Sequence, residues 1–106
     1  MHIKIISCET LKEYLEREDC LLIDLREQED YEKGHLPGAL WADWELLEEN
    51  IQDILSDREH DAKHIILYCD RGNISLMTAR DLARHGYPVI SLGGGYMRCG
   101  TRFPVA

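Results

Sequence analysis

A strand that stops at a cysteine is the sequence feature that most constrains this fold. Residues 65–68 predict a buried strand, because two isoleucines, a leucine and a tyrosine follow one another without a polar break. From Ser75 onward apolar residues recur at helical spacing, and Gly86 followed by Pro88 predicts the end of that helix. Cys69 is therefore expected at the carboxyl end of a strand, facing the N-terminus of a helix.

The loop between this strand and this helix favours a reactive cysteine. Residues 70–73 are polar and include Gly72, which is typical of an exposed turn and not of packed interior. A glycine with positive φ lets backbone N–H groups turn inward, as anion-binding turns require. Such donors, with the free N–H groups of the helix N-terminus, stabilise a thiolate at Cys69. The alternative is a buried structural cysteine, which is the commoner fate of a cysteine at a strand end.

The rest of the chain alternates between strand and helix patterns. Strands are predicted at residues 3–6, 20–25, 39–42, 65–68 and 89–92. Helices are predicted at residues 8–17, 27–33, 44–55 and 75–85, with Ser7 and Asp43 as N-caps of the first and third. This alternation predicts an α/β fold with a parallel five-stranded sheet and helices on both faces. In such sheets ligands bind beyond the carboxyl ends of the strands, where Cys69 is expected.

Length, charge and cysteine content limit the function classes. Residues 1–106 are expected to form a single domain, since no linker or repeat divides them. The formal net charge of −8 argues against nucleic acid or an anionic membrane as a partner. No apolar run approaches the roughly 20 residues that cross a membrane. The few cysteines, without a secretory leader ahead of residues 3–6, predict reduced thiols and a cytoplasmic protein, with Cys8 and Cys20 as small core residues.

Three motifs in order resemble the single-domain rhodanese-like sulfurtransferases. The first is Asp24-Leu25-Arg26-Glu27, followed by Tyr31 and then by Gly34-His35-Leu36-Pro37-Gly38-Ala39. The second is the loop Cys69-Asp70-Arg71-Gly72-Asn73-Ile74-Ser75, and the third is Leu92-Gly93-Gly94-Gly95-Tyr96. The resemblance covers nearly the whole chain and implies a single rhodanese domain over residues 1–106.

The resemblance implies transfer of sulfane sulfur without a cofactor or a metal. Cys69 would take sulfur from thiosulfate or a persulfide donor and pass it, as a persulfide, to a thiol or protein acceptor. The substrate-binding residues implied are Asp70, Arg71, Gly72, Asn73, Ile74 and Ser75. Arg71 is expected to attract an anionic donor, with a side chain pointing into solvent as the alternative. Asp24 and Arg26 are expected to brace the loops at the strand ends.

The active-site loop departs from the family pattern at Asp70 and Ile74. Many related loops carry a basic residue at these positions, so both changes remove positive charge. Asp70 also opposes thiolate formation and repels a dianion, which predicts weak use of thiosulfate. The loop argues against a phosphatase, because the sixth position after Cys69 is Ser75 and not the arginine that would bind a phosphate. A non-catalytic binding module or a sulfur carrier is the remaining alternative, and retention of Cys69 weighs against a binding module.

Other polar residues favour structural interpretations. His35 is expected to make a structural hydrogen bond in its turn, and Cys99 to be a buried or edge thiol. His60, Asp61 and His64 have metal-like spacing but lie in a polar connector, so solvent-exposed side chains are predicted there. The acidic residues Glu45, Glu48, Glu49, Asp53, Asp57 and Glu59 predict a solvated helix face, with docking of a basic partner as the alternative.

Overall fold

A parallel sheet of five strands forms the centre of the molecule. A computed structural model describes residues 3–17, 19–56 and 62–103. The strands are β1 (Lys4–Ile6), β2 (Cys20–Asp24), β3 (Leu40–Trp41), β4 (His64–Tyr68) and β5 (Val89–Leu92). Their order across the sheet is β1-β5-β4-β2-β3, and every pair is parallel. The predicted α/β fold with five parallel strands is confirmed.

Five helices connect or follow the strands in the described residues. They are α1 (Cys8–Leu15), α2 (Gln28–Lys33), α3 (Leu47–Ser56), α4 (Asn73–Arg84) and α5 (Gly95–Cys99). Ser7 caps α1 as predicted, since its side chain accepts a hydrogen bond from the Thr10 N–H at 3.2 Å. The predicted start of α3 is wrong, because Asp43 accepts from the Glu45 N–H and closes a turn ahead of the helix.

The sheet separates two hydrophobic clusters, which places helices on both of its faces. The cluster on one face includes Leu11 of α1 and Cys99 of α5. The cluster on the other face includes Ile51 of α3 and Leu82 of α4. Side chains alternate along a strand, and Tyr68 belongs to the first cluster while Leu67 and Cys69 belong to the second. Cys69 therefore points to the side of α3 and α4.

A disulfide joins Cys8 to Cys99, which corrects the prediction of reduced thiols at these positions. The two residues are 91 positions apart in sequence, and their Cα atoms lie 5.5 Å apart. The physical reason is the strand order. Because β1 and β5 are neighbouring parallel strands, the segments that follow them leave the same edge of the sheet side by side. Cys20 lies at the start of β2, is partly buried and takes no part in this bond.

Several polar residues of the sequence analysis are now placed. Glu45, Glu48, Glu49 and Asp53 are exposed, as the predicted solvated face requires. The prediction of an exposed His64 is wrong, because this residue begins β4, is partly buried and packs edge-on against the ring of Tyr14. Asp57, Glu59, His60 and Asp61 lie outside the described residues. Among the helices that are described, none is long and apolar enough to span a bilayer.

Candidate active site

The sulfur of Cys69 sits at the base of the loop between β4 and α4. Cys69 is 1% exposed and directly follows the last residue of β4. Its Sγ accepts hydrogen bonds from the backbone N–H of Gly72 at 3.1 Å and of Ser75 at 3.4 Å. The inward turn of backbone N–H groups predicted from the sequence is present for these two donors. Both favour negative charge on the sulfur.

Gly72 is required by the shape of this loop for two reasons. Its φ is +101°, in the left-handed region that side chains with a Cβ rarely adopt. A Cβ at this position would also lie 3.2 Å from Gly94 N and 3.3 Å from the Leu92 carbonyl oxygen. The positive φ predicted from the sequence is confirmed, and the close approach to the segment after β5 adds a steric reason that the sequence did not reveal.

Two side-chain oxygens lie near the same sulfur. The Cys69 thiol points to Asn73 Oδ1 and to Ser75 Oγ, each at 3.7 Å. Ser75 is fully buried and its hydroxyl also pairs with the Ser91 hydroxyl at 2.9 Å. The sulfur therefore has acceptors for a thiol proton as well as N–H donors for a thiolate, so the site holds either protonation state.

The charged residues of the loop lie at its outer surface. Asp70 and Arg71 are exposed, and neither side chain forms a hydrogen bond or an ion pair with any described residue. Ile74 is partly buried and packs against the cluster that contains Cys69. Arg71 is thus exposed at the surface of the loop and makes no described contact with the groups that hydrogen-bond the Cys69 sulfur.

Helix α5 supports the loop from the opposite side. The backbone N–H of Tyr96 donates to the Cys69 carbonyl at 2.8 Å, and that of Met97 donates to the Asp70 carbonyl at 2.9 Å. A Cβ at Gly95 would lie only 2.4 Å from the Cys69 carbonyl oxygen, so this contact depends on a glycine. Sequence reasoning missed these two hydrogen bonds, although the run Gly93-Gly94-Gly95 was the signal of a close backbone approach.

Asp24 and Arg26 form a buried ion pair next to α5. Asp24 is 0% exposed and accepts from Arg26 Nη2 at 2.8 Å and from the Tyr68 hydroxyl at 2.8 Å. Burial raises the pKa of Tyr68 well above its ordinary value, so the phenol keeps its proton. Arg26 also donates to the Gly34 carbonyl at 2.6 Å, and its guanidinium lies 3.8 Å from the centre of the Tyr96 ring. The pair thus contacts α5 and not Cys69 itself.

His35 holds the turn that follows α2. Its Nδ1 lies 2.8 Å from the Tyr31 carbonyl oxygen, and its ring stacks on the Tyr31 ring with centroids 3.9 Å apart. The predicted structural hydrogen bond is confirmed. Both contacts join the turn to Tyr31 of α2.

Comparisons with known proteins agree with this architecture. A family model described as a rhodanese-like domain matches residues 7–99. The thiosulfate sulfurtransferase GlpE of Pseudoalteromonas translucida is 33% identical over 97 residues, which cover 91% of this chain and 88% of that protein. The putative sulfurtransferase YtwF of Bacillus subtilis is 31% identical over 98 residues, covering 92% and 90%. The tRNA sulfurtransferase of Desulfurococcus amylolyticus is 36% identical over 80 residues, but the chain spans only 15% of its length.

Solved structures share the fold at lower sequence identity. A rhodanese-related protein from Thermoplasma volcanium superposes with a TM-score of 0.80 at 21% identity, covering 97% of each chain. A thiosulfate sulfurtransferase from Pseudomonas aeruginosa superposes with a TM-score of 0.83 at 21% identity, covering 99% of this chain and 19% of that one. At these identities the likeness concerns the fold alone.

Proposed function

Because this chain belongs to the rhodanese-like family, we propose that it is a sulfurtransferase in which Cys69 carries the sulfur. The observation that supports this assignment most is the placement of Cys69 Sγ between the backbone N–H groups of Gly72 and Ser75. Two relatives of similar length carry the name thiosulfate or putative sulfurtransferase. The sulfur donor is thiosulfate, which the first of these names contains, or a persulfide.

The reaction has two half-steps that exchange one sulfur atom. The Cys69 thiolate attacks the outer sulfur of thiosulfate, the S–S bond of the donor breaks, and sulfite leaves with the electron pair. An acceptor thiolate, or cyanide in an assay, then attacks the outer sulfur of the Cys69 persulfide and the Cys69 thiolate leaves. The N–H groups of Gly72 and Ser75 stabilise the negative charge on the sulfur at the start and the end of this cycle.

The remaining loop residues modulate donor binding. Arg71 lies exposed on the loop and attracts an anionic donor through its charge. Asp70 is also exposed and opposes the same donor, while Ile74 packs inward and contributes no charge. Asn73 places its side-chain oxygen near the sulfur, where it accepts a hydrogen bond from the Cys69 thiol. A neutral or protein-borne persulfide therefore suits this loop better than thiosulfate.

Asp24 and Arg26 act as positioning residues in this proposal. They do not reach the sulfur, but Arg26 packs on Tyr96, whose N–H holds the Cys69 carbonyl. Residues 1–106 act as one rhodanese domain, and the partners are a small sulfur donor and a thiol or protein acceptor. A cytoplasmic location belongs to the same proposal.

Replacement of Cys69 by serine tests the assignment directly. Wild-type protein treated with thiosulfate should gain about 32 Da, the mass of one sulfur atom, on Cys69, and should transfer that sulfur to cyanide. Cys69→Ser should lose both, because a hydroxyl cannot carry sulfane sulfur. Mass spectrometry of the intact protein and a cyanide assay measure the two effects.

Cys20→Ser is the matched control for this experiment. Burial and the hydrogen bond to Asp19 raise the pKa of the Cys20 thiol, so this cysteine is a poor nucleophile near neutral pH. Its replacement should leave the adduct and the transfer rate unchanged. A sulfur adduct that persists in Cys69→Ser would assign the nucleophile elsewhere. An adduct on Cys69 without transfer to any acceptor would favour a sulfur carrier.

A further inference from the structure

The Cys8–Cys99 disulfide ties the start of one helix to the end of another. Cys8 is the first residue of α1 and Cys99 is the last residue of α5. Both are buried, with exposed fractions of 1% and 0%. The bond therefore fixes the C-terminal end of α5 against α1 on one face of the sheet.

The other end of the same short helix holds the loop that carries Cys69. Tyr96 N–H and Met97 N–H bind the carbonyls of Cys69 and Asp70, and α5 spans only the residues Gly95–Cys99. The disulfide lies in the cluster on the opposite face from the Cys69 side chain. The backbone of α5 therefore connects the disulfide to the Cys69 loop, while the sheet separates the disulfide from the Cys69 side chain.

Cys8 is one of the residues that line a surface cavity. The cavity has a volume of about 310 Å³ and its lining includes Ser7, Cys8, Arg98 and Arg102. Arg102 is paired with Glu9 at the rim of this cavity. Glu9 also lines the cavity and neutralises Arg102, so the positive charge that remains there is that of Arg98. Since thiolates are the attacking species in disulfide exchange, the Arg98 guanidinium favours the approach of a thiolate to Cys8.

We propose that the Cys8–Cys99 disulfide is a redox-sensitive restraint on the Cys69 loop, opened by a dithiol reductant that enters through this cavity. One thiolate of the reductant attacks Cys8 Sγ, the Cys8–Cys99 bond breaks, and Cys99 leaves as a thiolate that takes up a proton. The second thiolate then attacks the reductant sulfur of the mixed disulfide and releases Cys8. Two electrons and two protons pass from the dithiol, which becomes a disulfide, and α5 loses its attachment to α1. The influence on sulfur transfer rests on the function proposed above.

Thiol counting and amide exchange test this restraint without any assay of sulfur transfer. Denatured, unreduced protein should take up alkylating reagent at Cys20 and Cys69 only, and dithiothreitol should add Cys8 and Cys99. In the reduced native protein, kept under anaerobic conditions, the amides of Tyr96 and Met97 should exchange about tenfold faster. The labelling time is kept too short for β4 to exchange in either state, so that local opening is separated from global unfolding.

The matched variants are Cys8→Ala/Cys99→Ala, which should show the fast exchange without reductant, and Cys20→Ala, which should behave as wild type. After removal of dithiothreitol, reduced wild type should transfer sulfur from thiosulfate about fivefold more slowly. Three results would contradict the proposed restraint. They are alkylation of four cysteines before reduction, amide exchange that reduction does not change, and exchange of the Tyr96 amide that occurs only together with that of β4. If only Cys69→Ser loses sulfur transfer and reduction leaves amide exchange unchanged, the proposed function holds and this inference is wrong.

Discussion

Asp70 follows Cys69 directly and is the only acidic residue in the loop from Cys69 to Ser75. Its carboxylate is exposed and forms no ion pair with a described residue, so nothing in that part of the chain neutralises it. Asp70→Asn removes this charge with little change in shape. We expect kcat/KM for thiosulfate to rise about tenfold at low salt, because a dianionic donor is no longer repelled, and the gain to shrink as salt screens the charge. Steady-state rates across a salt series measure both effects.

Glu13→Gln provides the control for the change in net charge. Glu13 is exposed on α1, and α1 packs against the face of the sheet opposite to the Cys69 side chain. Its replacement should leave thiosulfate turnover unchanged at every salt concentration. If turnover falls in Asp70→Asn, Asp70 assists the reaction, and the account of a weakened anion site is wrong.

Gly72 and Gly86 make a matched pair for testing the loop conformation. Both have positive φ, +101° and +88°, but only Gly72 has backbone atoms near the position of a Cβ. Valine at either site costs about 1 to 3 kcal/mol of stability, because a β-branched residue resists this backbone conformation. Gly72→Val should also lose transfer almost completely as its N–H turns away from the sulfur, whereas Gly86→Val should keep it. Equal transfer rates in the two variants, measured below their melting temperatures, would argue against the conformational role of Gly72.

At the scale of elements, sequence periodicity predicted the strands of the sheet and the longer helices. It missed the short helix α5, which is held by tertiary contacts. Strand β5 has the predicted bounds, since its apolar run is closed by turn residues on both sides. The α4 stop at Gly86 and the loop at Cys69 were predicted for the same reason, because glycine marks both. Helix α5 has five residues, too few for a periodic pattern, and is held by its contacts with the loop.

The buried Asp24–Arg26 ion pair should contribute strongly to the stability of the fold, because it connects β2 to α5. Arg26→Met leaves Asp24 fully buried without its cation and removes the guanidinium from the Tyr96 ring. We expect a loss of about 3 to 5 kcal/mol in the free energy of unfolding, measured by urea denaturation. The double variant Asp24→Asn/Arg26→Met should recover part of this loss, because no unpaired charge remains buried. A loss below about 1 kcal/mol in the single variant would mean that water reaches Asp24.

At the scale of the whole molecule, the strand order brings together residues that the sequence keeps apart. Alternating patterns predicted five parallel strands, but they did not reveal that β1 lies beside β5. Because these two strands are neighbours, Cys8 lies beside Cys99 in the fold. The two residues are 91 positions apart in the sequence, so their spacing did not predict the disulfide. The pairing of β5 with β4 brings the segment after β5 to the Cys69 loop, which explains why the hydrogen bond from the Tyr96 N–H emerged only from the structure.

The disulfide should therefore contribute to the stability of the entire domain. Closing a loop of 91 residues lowers the entropy of the unfolded chain and, in the chain-entropy model, stabilises the fold by about 4 to 5 kcal/mol. Reduction with dithiothreitol should lower the free energy of unfolding by that amount and the melting temperature by about 20 °C. Denaturant titrations of the oxidised and reduced protein measure the difference directly. Cys8→Ala/Cys99→Ala should unfold at the same denaturant concentration with or without reductant, because it has no bond to lose. A wild-type midpoint that reductant does not move would contradict the disulfide as a covalent closure of the domain.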